Sequence, residues 1–416
     1  MNNLLKNIFS GNIDIIKNIT SLLLEKLLTI VLIFYTEGLI SHYLGVELYG
    51  KWIYSINIII ILSSIALIAS SEVIIPALSR HFKLRWEIIS AAFIIRMAFA
   101  FITYIISNIY FYFFIPDQEI KDMLMAISIM LLFTEPFGVV TNYYQSRIRI
   151  GIISCARLLS LVVRAGFISI IFLVPSYIFI YYSRAIEAIF LALFLFTIIN
   201  HSGFEFKISK NVFRVIIIRG LKMWLPLILM LIYMRADRFF VEHYLGFDDL
   251  ALYGVAVQII EQAILVLGMI IQSIAPKFLF KKNTPPIYKI IIGLILISIL
   301  LQLCAIILLE PFITFIFGPY YYKSIQMTIS LLPALNFFVV DSILMQLIYR
   351  DLQYNLIIFK WLIMLIVSFS GYYIWFGIMD NTNVAPVFVL NYAIMMTLTY
   401  LIRKIKTKKS KPCCIA

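Results

Sequence analysis

Apolar stretches of roughly 20 residues, each long enough to cross a bilayer core about 30 Å thick, recur twelve times along this chain. They run from Thr20 to Ser41, Trp52 to Ile75, Ile88 to Phe114, Met123 to Val140, Ile152 to Val174 and Tyr177 to Asn200. The second six run from Met223 to Leu245, Leu250 to Pro276, Ile287 to Glu310, Ser324 to Tyr349, Leu356 to Phe376 and Val384 to Ile402. Polar/apolar alternation is missing, and the runs far exceed the ~9–11 residues of a spanning barrel strand, so each reads as a helix. The expected fold is all-α: a polytopic membrane protein of about 12 transmembrane helices. Hydrophobic types supply 63% of the 416 residues and charged types 13%, about half the ~25% usual in a soluble domain. A water-soluble enzyme is excluded on that ground. Gly (16), Pro (13) and Cys (4) are too scarce for a disordered, collagen-like or disulfide-rich chain.

The net charge of +13 would raise the question of nucleic acid in a soluble protein. Here its distribution answers a different one. Outside the spans, one set of alternate connections holds only Lys51, Lys121 and Lys323. The other set holds the remaining cations, among them Lys6, Lys17, Arg80, Lys83, Arg85, Arg147, Arg149, the connector from His201 to Lys222, Lys281, Lys282 and the tail from Arg403. Basic loops stay in the cytoplasm, so both termini are expected there and the chain is expected in the cytoplasmic (inner) membrane of a bacterium. No cleavable signal peptide is visible, because the first apolar run is long and lacks a small-x-small cleavage pattern.

The two halves repeat. His42-Tyr43-Leu44-Gly45 ends the first span and His243-Tyr244-Leu245-Gly246 the seventh. Tyr49-Gly50 and Tyr253-Gly254 then open the next spans, and Pro76 and Pro276 close them. Three matches in one register indicate two six-helix bundles of the same orientation: residues 1–200, a cytoplasmic connector at 201–222 that is either amphipathic or an extended polar linker, residues 223–402, and a basic tail at 403–416. Paired repeats of this kind suit a transporter that works by alternating access.

Ionisable groups inside a span are costly unless paired or wetted, which makes each a functional candidate. Lys26 and Lys360 lie close enough to the cytoplasmic edge to snorkel. Arg96 in the third span, and Arg157 and Arg164 in the fifth, have no acid in their own span. Arg157, Ser160 and Arg164 share one helical face, and Arg184 could extend that ladder from the next span. Guanidinium groups match phosphate oxygens through paired hydrogen bonds and stay charged, so Arg96, Arg157, Arg164 and Arg184 are the candidates for binding an anionic headgroup. The alternative is structural pairing with acids of other spans, such as Glu135, Asp237, Glu261 or Asp341. Asp237 and Glu261, near the middle of spans seven and eight, could couple H⁺ or Na⁺ to movement. The four histidines form no metal-ligand pattern, and no catalytic motif is present, so the chain is not expected to be an enzyme or to hold a metal or cofactor.

Leu44-Gly45-x-x-x-Tyr49-Gly50 and its counterpart, Trp224-Leu225-Pro226, Asp237-Arg238, Ala275-Pro276-Lys277 and Phe317-Gly318-Pro319-x-Tyr321 together resemble the polysaccharide flippases. These O-antigen and capsule translocases belong to the multidrug/oligosaccharidyl-lipid/polysaccharide exporter (MOP) superfamily. The resemblance implies two bundles around a central cationic cavity, without an invariant catalytic residue. It implies translocation of an undecaprenyl-pyrophosphate-linked oligosaccharide from the cytoplasmic to the periplasmic leaflet. It further implies membrane lipids, and the polymerase and glycosyltransferases of the same lipopolysaccharide or capsule pathway, as partners. Two other readings remain: a membrane-embedded oligosaccharide polymerase or ligase, and a drug/cation antiporter of the same superfamily.

Overall fold

The computed structural model describes the backbone of residues 2–147, 150–278, 287–350 and 354–409, and side chains within 26–147, 151–271, 288–348 and 356–404. Arg149, Lys281, Lys282 and the tail from residue 410 lie outside the described residues. Every regular element in the described chain is helical: α1 Asn2–Ala66, α2 Ser71–Arg80, α3 Arg85–Phe114, α4 Gln118–Ser128, α5 Met130–Ser146, α6 Ile150–Ser169, α7 Ile178–Tyr181 and α8 Ser183–His201. They continue with α9 Lys210–Leu245, α10 Phe247–Phe278, α11 Ile287–Ile316, α12 Tyr322–Leu331, α13 Ala334–Arg350, α14 Tyr354–Tyr372 and α15 Ala385–Lys409.

Ten described stretches are long and apolar enough to cross a membrane. An eleventh is the pair Pro319–Leu331 and Ala334–Ile348, bent by 47° at its break, where Pro333 has no N–H to continue the ladder. One of the ten, Lys26–Arg80, is 55 residues long, or about 80 Å at 1.5 Å per residue, and so serves two crossings. It is divided at Gly45, whose φ of 74° and ψ of 179° lie in a region that essentially only glycine enters. With that division, each of the twelve apolar runs has its helix or broken helix. Gly246, the repeat partner of Gly45, also has a positive φ, 88°. The shared tetrapeptide thus ends both times on a glycine of positive φ.

The helices form two compact units: residues 1–43 with 65–222, and residues 44–64 with 223–416. The division differs from a cut at residue 200 in two ways. The stretch after Gly45 packs with the later helices, and the connector packs with the earlier ones. Glycines explain the first difference. A Cβ on Gly50 would stand 2.0 Å from the Phe247 carbonyl oxygen, and one on Gly254 would stand 2.4 Å from Ile53 Cδ1. Both Tyr-Gly motifs therefore lie at backbone-close contacts between residues 44–64 and α10. Tyr49 is fully buried there and packs on Phe317 and Tyr321, which joins two of the motifs singled out in the sequence.

Residues 204–209 of the connector carry no regular secondary structure, and the helix that starts at Lys210 runs on into the seventh span as the 36-residue α9. Its first turns bury Ile216 and Gly220 and expose Arg214, Arg219 and Lys222. Cys155 and Cys304 are exposed on helix surfaces.

Candidate functional site

In the first unit, α3 repeats buried positions every three or four residues: Ile88, Ala92, Ile95, Arg96, Ala100, Thr103, Ser107 and Phe111. Arg96 falls on that stripe and is almost completely buried. Its Nε donates to the Ala69 carbonyl at 2.8 Å and Nη1 to the Glu135 carbonyl at 2.9 Å, with the Glu135 carboxylate 3.8 Å away. Ala69 ends the short 3-10 turn that follows α1, where helical carbonyls lose their partners. Gly138 makes room for the guanidinium. Arg96 is thus bonded into a helix break, and its partners differ from the Glu37 and Glu187 that hold Arg164 and Arg184.

Arg164 and Arg184 do come together. Each donates from Nη2 to the same oxygen of Glu37, both at 2.8 Å. Each also approaches Oε2 of Glu187 through Nη1, at 3.5 and 3.7 Å. Three helices build this quartet: α1 before its break supplies Glu37, α6 supplies Arg164, and α8 supplies Arg184 with Glu187 one turn on. Two cations face two anions, so the cluster is neutral when both carboxylates are ionised. Exposure divides it: Arg164 and Glu37 are 0% and 4% exposed, Arg184 and Glu187 26% and 22%. Arg184 and Glu187 are the more accessible half of the cluster. Hydrogen bonding is also incomplete, for Nε and Nη1 of Arg164, Nε of Arg184, Oε2 of Glu187 and the Ser183 hydroxyl are buried without a partner among the described residues. Unmade bonds of this kind leave capacity for a water or an anionic oxygen. Arg157 lies two turns from Arg164 along α6, but its side chain is exposed. The expected ladder therefore changes environment completely between its two rungs.

The second unit holds a related cluster. Arg238 donates to Oδ1 of Asp237 at 3.0 Å and to Oε1 of Glu261, and the Met234 carbonyl accepts from it as well. Arg235 donates to the same Glu261 oxygen at 3.0 Å and to Asn57 at 3.2 Å. The Tyr253 hydroxyl donates to Asp237 at 2.6 Å. Asp237 and Glu261 are thus brought together through Arg238, inside a second neutral set of two arginines and two acids.

Lys360 does not snorkel. Its side chain is 1% exposed, and Nζ donates to both oxygens of Asp341, at 2.8 and 2.9 Å, while Thr399 donates to Oδ1. Desolvation explains the difference: an ammonium that deep is held by a bidentate carboxylate rather than by reaching water. Asp341 borders a cavity of about 300 Å³ walled by Met230, Met234, Met345, Met395, Trp361 and Phe338 among others. Glu37, Arg235, Arg238, Tyr253 and Lys360 were not among the residues expected to bind the headgroup or couple an ion. The near-equality of in-span acids and cations was the available signal that pairing would dominate. No group of three His, Cys, Asp or Glu residues suited to a metal occurs among the described residues.

No protein-family model and no curated protein sequence matches this chain. Solved structures do match. The lipid II flippase MurJ in an inward closed conformation aligns with a TM-score of 0.70 at 12% identity, over 93% of this chain and 87% of that one. An inward-facing multidrug-resistance MATE transporter of the MOP superfamily aligns at 0.62 and 14%, over 92% and 96%. A MOP transporter from Pyrococcus furiosus, described as having a binding pocket of reversed polarity, aligns at 0.61 and 16%, over 94% and 95%. The fold is that of the MOP transporters. Each of these alignments covers more than nine-tenths of this chain.

Proposed function

We propose that this protein is a flippase for a lipid-linked oligosaccharide carried on a diphosphate, moving it from the cytoplasmic to the periplasmic leaflet by alternating access. The observation that carries the reading is the Glu37–Arg164–Arg184–Glu187 quartet, set in a fold shared with a lipid II flippase. A guanidinium pair bridged by one carboxylate oxygen presents the donors that a diphosphate accepts. Its resting partners are glutamates, so a headgroup binds by exchange: one carboxylate takes a proton or swings away, the cluster becomes cationic, and phosphate oxygens replace it. Proton coupling at Glu187 follows from the same charge balance, while the Asp237–Arg238–Glu261 set is the alternative place for H⁺ or Na⁺. An undecaprenyl carrier, an inner-membrane location and neighbouring pathway enzymes belong to this reading, as does a wet path that spares the sugars the hydrocarbon.

The test is transfer of a labelled lipid-linked oligosaccharide between leaflets of reconstituted vesicles. Arg184→Gln should slow transfer roughly tenfold or more, the worth of one charge-assisted hydrogen bond, while preserving the thermal transition. Glu187→Gln should remove the response to a proton gradient. Wild-type rates in both variants would overturn the assignment.

A drug/cation antiporter is the second reading, favoured by the MATE likeness and by the Met- and aromatic-walled cavity beside Asp341. Against it, Lys360 already neutralises that carboxylate. Drug efflux that persists without any oligosaccharide transfer would select it.

A further inference from the structure

A second binding feature lies at the end of the first unit where α3 begins and α5 and α8 finish. A slot of about 170 Å³ opens there between Ile89 and Phe93 of α3, Phe137 and Val140 of α5, Phe196 of α8 and Phe204 of the connector, with no polar surface in its lining. At its rim, two arginines bracket one aromatic ring: Arg85 stands 4.8 Å from the Phe82 ring centre and Arg147 4.5 Å. Arg85 also lies over Trp86 at 4.8 Å, and Arg147 over Tyr143 at 5.2 Å. Trp86 in turn packs on Tyr143 and on Phe204, each at 5.5 Å, which connects rim to slot. Neither arginine forms an ion pair among the described residues, whereas the neighbouring Lys207 is already paired with Glu205.

Depth follows from helix geometry. Ile89 and Phe93 lie four and eight residues beyond Arg85, about 6 and 12 Å down the axis. Val140 and Phe137 lie seven and ten residues before Arg147, which caps α5, about 10 and 15 Å along the axis. The rim is therefore at headgroup level and the slot at acyl-chain level of the leaflet that the basic loops face. Its volume holds roughly six methylene groups, taking each as close to the ~30 Å³ of a liquid water molecule.

From this arrangement we infer a binding site for an anionic phospholipid of the cytoplasmic leaflet, with its phosphate between Arg85 and Arg147 and one acyl chain in the slot. Cation–aromatic stacking leaves the guanidinium edges free to donate to phosphate. No carboxylate lies within ion-pair distance of either guanidinium among the described residues, and Glu205, whose charge Arg85 helps to stabilise, is already held by Lys207, so the pair keeps the charge complementarity that a purely apolar crevice lacks. The site is separate from the Glu37–Arg164–Arg184–Glu187 quartet and stands or falls without the proposed transport function.

Trp86 reports on it directly. In vesicles of mixed phosphatidylglycerol and phosphatidylcholine, bromine is placed on the acyl chains of one lipid at a time. Tryptophan quenching in the wild type minus that in Trp86→Phe isolates this residue among the five tryptophans. Brominated phosphatidylglycerol should bind about fivefold more tightly per contributing arginine than the brominated neutral lipid. Arg85→Gln with Arg147→Gln should abolish the preference without changing quenching of the other tryptophans. Equal quenching by both lipids in the wild type, or a preference that survives the double substitution, would overturn the site. Displacement of phosphatidylglycerol by an equimolar polyprenyl phosphate would overturn its assignment to a membrane phospholipid.

Discussion

Lys360 and Asp341 sit 19 residues apart in sequence and are both nearly absent from the molecular surface. A pair this deep contributes little by existing, because desolvation offsets most of its attraction, but losing one member strands the other. Lys360→Met alone, or Asp341→Asn alone, should therefore destabilise the protein by about 3–5 kcal/mol. The two substitutions together should recover most of that. Thermal unfolding in detergent checks both statements, and a double variant as unstable as the worse single variant would contradict the pairing argument. The same pair shows where sequence reading stops. Span positions identified which ionisable groups lie at membrane depth, because depth is a local property of a hydrophobic run. Partners are not local: Arg184 finds Glu37 across 147 positions and Arg164 finds it across 127. Lys360 looked able to reach the interface by length alone, and only the packing of α13, α14 and α15 around it shows otherwise. For Arg184 and Glu187 the i, i+3 spacing was legible, yet the carboxylate that binds both arginines belongs to α1.

At the scale of the element, two glycines in one repeat motif are constrained by different physics. Gly45 has nothing within 4 Å of a built Cβ but a φ and ψ that L-residues avoid. Gly50 has ordinary helical geometry, yet its Cβ would meet the Phe247 backbone at 2.0 Å. Gly45→Ala should cost about 1–3 kcal/mol through backbone strain alone. Gly50→Ala should also lower the melting temperature, here by forcing residues 44–64 away from α10. Gly151→Ala is the control, since nothing crowds that helical position and alanine is the better helix former; its transition should stay or rise slightly. If Gly45→Ala melted like the control, the break in α1 would not depend on glycine. The repeat was readable because a glycine required at a turn leaves a fixed letter in the sequence. Transfer of residues 44–64 to the second unit was not, since a close helix contact is written only as a missing side chain. The bend between α12 and α13 was likewise hidden inside one apolar run, although Pro333 marks it.

Across the whole chain, charge obeys two different rules. Within the spans, the clusters around Glu37 and Glu261 are each neutral; outside them, the excess that makes the chain +13 is concentrated in alternate connections. A net positive loop is retained on the cytoplasmic side, so orientation can be tested independently of any transport assay. In a chain whose four cysteines are replaced by serine, single cysteines at His81, Gln118 and Asn381 each fall on exposed positions. Gln118→Cys and Asn381→Cys lie in connections poor in cations and should react with a membrane-impermeant maleimide in intact cells. His81→Cys lies beside Arg80 and Lys83 and should react only after permeabilisation. The reverse pattern would invert the whole chain. Arg85 and Arg147, which both stack on Phe82 next to His81, would then face the outer leaflet, and both the proposed phospholipid site and the proposed direction of oligosaccharide transfer would have to be reversed with them.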